Sequence, residues 1–322
     1  MAASPSADRD GAHAALILVA YAVGASLVTP AIRYLSFHFD QFTQNAYRFF
    51  TGAACLLLLS ALLWPGELLR LLRSPRGLAG VVSLATGGAV AQSLFVAGVG
   101  RTSAVLGGLI PILMVPLTAV LGAALFPDER AVVRGRGFLV GAPLALLGAA
   151  GLAVTRRSPE EVSYAQGVYL LLGSTLLGCG LALLSKRMVQ SYHPVCVTTL
   201  NTTLMCPMFF LGAHLWGDLG KIAQVPTLTV VILYVSGAYG LLIGGGLFYF
   251  CLKKYGVVRT TFTNLAAPVF TGVLGYLLFR ESMGVVEMAA AVLLLCGSYL
   301  VIAGKRAVPQ PRIAEVTSAP GA

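Results

Sequence analysis

Gln92, Ser174, Thr175, Tyr249, Thr261 and Asn264 each interrupt a long apolar stretch of the sequence, and Tyr21 and Ser26 do so nearer the N-terminus. Side chains of these types offer hydroxyl and amide groups without charge. They suit one of two tasks, holding a polar solute in apolar surroundings or tying neighbouring helices together. Gln92 and Asn264 lead the set, because a buried amide has several donors and acceptors to satisfy. The twelve carboxylates, by contrast, all fall in turn-rich segments, tails or the ends of apolar runs. A proton relay through a carboxylate at the middle of a run is therefore not expected. No GxxxxGK[ST] sequence occurs, and the four histidines, His13, His38, His193 and His214, stand at the edges of runs. With no acid, base or metal set placed inside a run, the residues predict no enzyme, no cofactor and no metal.

Prolines supply a second kind of chemistry, through the backbone. Pro111 and Pro116 share one apolar run and Pro268 lies in another. Each removes a helical hydrogen bond and leaves a carbonyl short of its donor. Such irregularity at membrane depth is tolerated only against protein or a watery cavity, so these are either kinks around a central cavity or kinks of packing. Arg48, about six residues and roughly 9 Å into its run, is costly in lipid. It reads either as snorkelling to the interface or as a vestibule residue that attracts anions. Two acid–base neighbours, Glu129-Arg130 and Arg280-Glu281, stand where runs end and read as helix caps or loop ion pairs.

The elements that must position these residues are visible in the spacing of charges and turns. Apolar runs cover 13–32, 42–64, 77–98, 103–126, 134–154, 166–188, 194–216, 228–252, 257–279 and 284–303. Each meets the roughly 20 residues a membrane-spanning helix needs. Composition agrees: 57% of the 322 residues are hydrophobic and 11% charged, with mean hydropathy +0.84, whereas soluble domains carry about 25% charge. An ordinary soluble fold is excluded. The net charge of +10 is spread over short clusters between runs, such as Arg70, Arg73 and Arg76, or Lys253, Lys254 and Arg259. That pattern marks membrane topology and not a nucleic-acid surface. Six widely separated cysteines without a CxxC pair predict neither disulfides nor zinc. Glycine pairs and GxxxG spacings, including Gly107-Gly108 and Gly137xxxGly141, suit close helix packing or hinges. Asn201-Thr202-Thr203 has the form of a glycosylation acceptor, but it lies inside the seventh run and is assigned no role.

Counting Lys and Arg with the N-terminus inside places 15 on inner segments and 6 on outer loops, which predicts that both termini are cytoplasmic. The chain also resembles itself. A shift of 154 places Gly24 on Gly178, Leu27 on Leu181 and Arg33 on Arg187. A shift of 152 places Trp64 on Trp216, Pro116 on Pro268 and Glu129 on Glu281. Five spans per half force the second half upside down. The expected fold is an all-α membrane protein of ten transmembrane helices in two inverted five-helix repeats, at 13–154 and 166–303. A tail at 1–12 precedes the repeats, and a tail at 304–322, rich in Pro, Ser and Ala, is expected to be disordered.

The paired features Ser103-Ala104, Pro116 and Asp128-Glu129-Arg130 in the first half, and Gly256 to Thr260, Pro268-Val269 and Arg280-Glu281-Ser282 in the second, resemble the EamA branch of the drug/metabolite transporter superfamily. The resemblance covers about residues 13 to 303. It makes Pro116 and Pro268 the mid-helix prolines, Glu129 and Glu281 the loop glutamates, Arg48 the arginine of span two, and Lys186-Arg187 the basic pair ending span six. The sequence departs from the pattern at Val23-Gly24, where many members carry Trp-Gly, and at the extra Pro111. The resemblance implies a secondary transporter of the cell membrane, the inner membrane in a Gram-negative cell. It would export a small metabolite such as an amino acid or related polar solute by alternating access. Its partners would be a small-molecule solute and membrane lipid, with no nucleic acid; the oligomeric state stays open, a homodimer included. A lipid flippase or a non-transporting assembly factor is the second class.

Overall fold

The computed structural model describes residues 19–125, 130–154, 161–242, 265–281 and 283–306. In chain order its apolar helices are α1 (Val19–Leu35), α2 (Gln41–Leu63), α3 (Pro75–Arg101), α4 (Ala104–Leu125), α5 (Arg136–Val154), α6 (Glu161–Ser191), α7 (Pro194–Trp216), α8 (Thr227–Leu241), α9 (Leu265–Phe279) and α10 (Val285–Arg306). Six of these, α2, α3, α4, α6, α7 and α10, are long and apolar enough to cross a membrane. The other four are shorter apolar helices, and no strand occurs among the described residues. The protein is a multi-pass membrane protein.

Local sequence sets the helix ends. Asp40 caps α2 by accepting the N–H groups of Phe42 and Thr43, both at 2.9 Å, which satisfies donors that the first turn leaves free. Ser74 does the same for α3, accepting from Gly77 at 3.1 Å just before Pro75, and Ser103 for α4, accepting from Leu106 at 3.1 Å. Pro111 breaks the regular pattern of α4, where Ile110–Leu113 winds as a tighter 3-10 turn.

One element differs from the sequence expectation. The segment after α2, expected as a plain connection, contains the helix Pro65–Arg73. Pro65 starts it, Leu71 is buried, and Arg70 and Leu72 are exposed. Nine residues are too few to register as a span, and amphipathic pattern over so short a stretch is easily read as a loop.

Packing joins the two halves of the chain. The most extensive contact runs between α5 and α10, followed by α6 with α3 and α7 with α2. At the first of these the backbones nearly touch: a Cβ at Gly297 would lie 2.4 Å from the Ala145 nitrogen and 2.5 Å from the Gly141 oxygen. Small residues permit this approach, and van der Waals contact is the main attraction available where lipid is as apolar as the interface. Ile32, Val99, Leu109, Leu152, Leu171 and Leu294, from α1, α3, α4, α5, α6 and α10, meet in one buried cluster. Leu147, Leu211, Leu277 and Val285 face outward, as they must in a protein whose solvent is hydrocarbon.

Candidate functional site

Eight helices, α1 to α4 and α6 to α9, surround a central cavity of about 680 Å³. Among the described residues α5 and α10 contribute nothing to its wall. Of the sequence candidates, Gln92, Ser174 and Thr175 line it, as do the helix-breaking Pro111 and Pro268. Because Pro111 has no N–H, the carbonyl of Gly107, itself on the wall, lacks the donor that an unbroken helix would supply. Pro116 is buried in α4 away from the cavity. Tyr21 and Ser26 are buried elsewhere in α1, and the Ser26 hydroxyl donates to the Val23 carbonyl at 2.6 Å. Tyr249, Thr261, Asn264 and Glu129 lie outside the described residues.

The wall also holds polar residues to which the sequence reading gave no role. Thr198, Asn201 and Thr202 of α7 line the cavity, and the Asn201 Oδ1 is buried without a hydrogen-bond partner. The NxT pattern drew attention to the wrong property of Asn201. The usable signal was an amide inside an apolar run with Thr198 three residues before it and Met205 four after it, one face of a helix. All three face the cavity.

Arg48 is 5% exposed and sits outside the cavity wall, behind its neighbour Phe49. Its Nε donates to the Ser236 hydroxyl of α8 at 3.2 Å, and its Nη1 has no partner. The α8 backbone presses on it closely: a Cβ at Gly237 would come within 2.3 Å of the Arg48 carbonyl oxygen.

Above one end of the cavity, Glu281 forms an ion pair with Arg33 of α1, Nε to Oε1 at 3.3 Å. The sequence paired Glu281 with Arg280; the structure turns it across the halves instead. Arg280 adopts the left-handed region with φ of 57°, and the Glu281 N–H reaches back to the Gly275 carbonyl at 3.3 Å. This reversal brings the carboxylate over the start of α4, where Oε2 accepts from the Ala104 N–H at 3.0 Å and the Val105 N–H at 3.4 Å. Arg33 meanwhile donates through Nη1 to the carbonyls of Val99 and Gly100, at 3.1 and 2.6 Å, where α3 ends. An anion at a helix start and a cation at a helix end each match the local dipole. The pair fastens the ends of α1, α3 and α9 to the start of α4.

The exposed Arg280 side chain takes no part in this clasp, and its contribution is a strained turn. Arg280→Gly is therefore expected to raise stability by up to about 1 kcal/mol, because glycine enters the left-handed region freely. Thermal unfolding in detergent checks this; a loss of stability would show that the arginine charge matters. Arg130, the other cation of the predicted loop pairs, is exposed and donates from Nε to the Ala123 carbonyl at 3.2 Å.

Residues 165–303 match the EamA-like transporter family. The chain carries an EamA-like transporter domain. An uncharacterized transporter of Haemophilus influenzae is 22% identical to this chain over 300 residues, covering 90% of it and 97% of the relative. A chloroplastic WAT1-related protein of Arabidopsis thaliana is 26% identical over 217 residues, 65% of this chain and 51% of that protein. In fold, the chain is similar to a protein of known crystal structure with a TM-score of 0.61 and 19% identity, covering 92% of this chain and 99% of that one. The family match over the second half and the transporter-named relative support a membrane transporter, and the likeness to the solved structure concerns the fold.

Proposed function

We propose that this EamA-type transporter is a ten-span carrier of two inverted five-helix repeats that exports a small polar metabolite by alternating access, with both termini in the cytoplasm. The observation that carries the reading is the central cavity, built from four helices of each half and bearing hydrogen-bonding groups on a mostly apolar wall. Binding sites at the interface of inverted repeats, lined by interrupted helices, are the common plan of secondary transporters. The helix contacts support it. Under the repeat α5 corresponds to α10 and α2 to α7, and each of these counterpart pairs packs together. The contact of α2 with α8 is matched by that of α7 with α3, as a twofold relation requires.

In this reading Gln92, Ser174, Thr175 and Asn201 bind the solute, and the Arg33–Glu281 clasp holds one end shut while the other opens. Counterflow into proteoliposomes from a labelled metabolite panel tests it. At least one polar solute is expected to exchange, with Gln92→Leu and Asn201→Leu each slowing exchange about tenfold or more while the protein still folds. Movement of fluorescent phospholipid without any solute exchange would overturn the carrier reading in favour of a lipid-directed one.

A further inference from the structure

We infer that the central cavity takes a solute rich in hydrogen-bond donors and free of net negative charge, typified by a primary ammonium or amino-amide group on an apolar body. The inference rests on the transporter reading and names the class of its solute.

The argument comes from where the hydroxyl protons of the wall go. Ser174 donates to the carbonyl of Ala91 at 2.8 Å and Thr175 to that of Leu171 at 2.7 Å. Thr198 donates to the carbonyl of Pro194 and Thr271 to that of Ser26, each at 3.1 Å. A carbonyl oxygen can only accept, so in all four bonds the single hydroxyl proton is already engaged, and what remains for a solute is lone pairs. These four hydroxyls line the cavity on α6, α7 and α9. The unpartnered Oδ1 of Asn201 adds an acceptor to the same wall.

No Lys, Arg or His stands among the described wall residues to meet an anion, and no Asp or Glu to neutralise a cation. The balance between the two is set by the neutral groups. Phe49 and Phe95 stand on the wall, and aromatic rings attract cations over their faces. Oxygen lone pairs do the same, while a carboxylate would find its oxygens opposed to oxygens in a space of low dielectric. Leaving a desolvated charge without donors is far costlier than the loss of one neutral hydrogen bond. Only the amide N–H groups of Gln92 and Asn201 and the hydroxyls of Thr29 and Thr202 remain as donors on the described wall.

The test uses three matched probes on the purified full-length protein: phenylalaninamide, phenylalanine and N-acetylphenylalanine, which share one body and differ in charge. Isothermal titration in detergent and counterflow in proteoliposomes are read for each. Binding of the amide at least about tenfold tighter than the N-acetyl anion, with the zwitterion between, is the expected order. Equal or tighter binding of the N-acetyl anion overturns the inference and leaves the carrier reading standing, as does failure of all three probes beside exchange of another panel metabolite that carries net negative charge. Failure of every panel member to exchange overturns the carrier reading itself. Asn201→Leu is expected to weaken binding of the amide more than that of the anion; an equal loss on both would assign Asn201 to packing.

Discussion

Removing either partner of the Arg33–Glu281 pair lowers stability by about 2–3 kcal/mol and opens the end of the bundle that it fastens. Both side chains are well covered, at 17% and 13% exposure, and each holds more than the other. Glu281→Leu strips the α4 N-terminus of a carboxylate that accepts from Ala104 and Val105, and leaves Arg33 without its counter-charge. Arg33→Leu strips the end of α3 of its donor to Val99 and Gly100 and leaves an unpaired carboxylate. Breaking a covered pair from one side costs more than the pair itself contributes. The double variant Arg33→Leu/Glu281→Leu is thus expected to be less destabilised than the two single losses combined, with a coupling of about 1 kcal/mol or more. Thermal unfolding of all four proteins in one detergent gives that coupling; a value near zero would reduce the clasp to an incidental contact. A cysteine placed at Thr29, a wall residue one turn below the clasp, reports the opening. It should react faster with a water-borne thiol reagent in either single variant than in the parent.

Such a clasp shows what a sequence can and cannot reveal here. Six of the apolar runs, those that form helices long enough to cross a membrane, were legible because 20 apolar residues bounded by charge have few alternatives. Gln92, Ser174 and Thr175 were legible for a related reason: a polar side chain in such a run must find a partner or a cavity. The Arg33–Glu281 pair was not, because 248 residues separate its members and nothing local marks them. Glu281 has Arg280 beside it in sequence, and only the left-handed turn at Arg280 sends the carboxylate the other way. A partial hint existed in the repeat, which aligned Arg33 with Arg187 and Glu129 with Glu281 and so marked both residues as positions common to the two halves. Asn201 was overlooked for the opposite reason, since a recognisable local pattern supplied a competing interpretation. Arg48 marks a third case. The sequence offered the interface or a vestibule, whereas the fold buries the guanidinium between helices against Ser236, a location that depends on Gly237 letting α8 approach.

Gly297→Leu is expected to cost more than about 3 kcal/mol and to remove most of the folded protein, the largest effect of any single substitution considered. The added Cβ would meet the Ala145 nitrogen at 2.4 Å and the Gly141 oxygen at 2.5 Å, and both are backbone atoms. A flexible side chain could turn away; a helix backbone cannot, so α5 and α10 must part along their length. Gly148 is held in the same way, its Cβ position lying 2.4 Å from the Leu294 nitrogen and 2.5 Å from the Ala290 oxygen. Separation would give up the most extensive helix contact among the described residues, and overpacking a close-packed interior already costs about 1–3 kcal/mol. Neither helix touches the cavity among the described residues, so the damage should appear in folded yield and unfolding temperature before it appears in solute preference. Gly180→Ala supplies the contrast. Nothing lies within 4 Å of a Cβ there, and replacing a mid-helix glycine with alanine should stabilise by about 0.5–1 kcal/mol. Size-exclusion profiles and thermal unfolding of the two variants beside the parent decide the matter. A well-folded Gly297→Leu protein would mean that α5 and α10 do not approach as closely as their small residues allow.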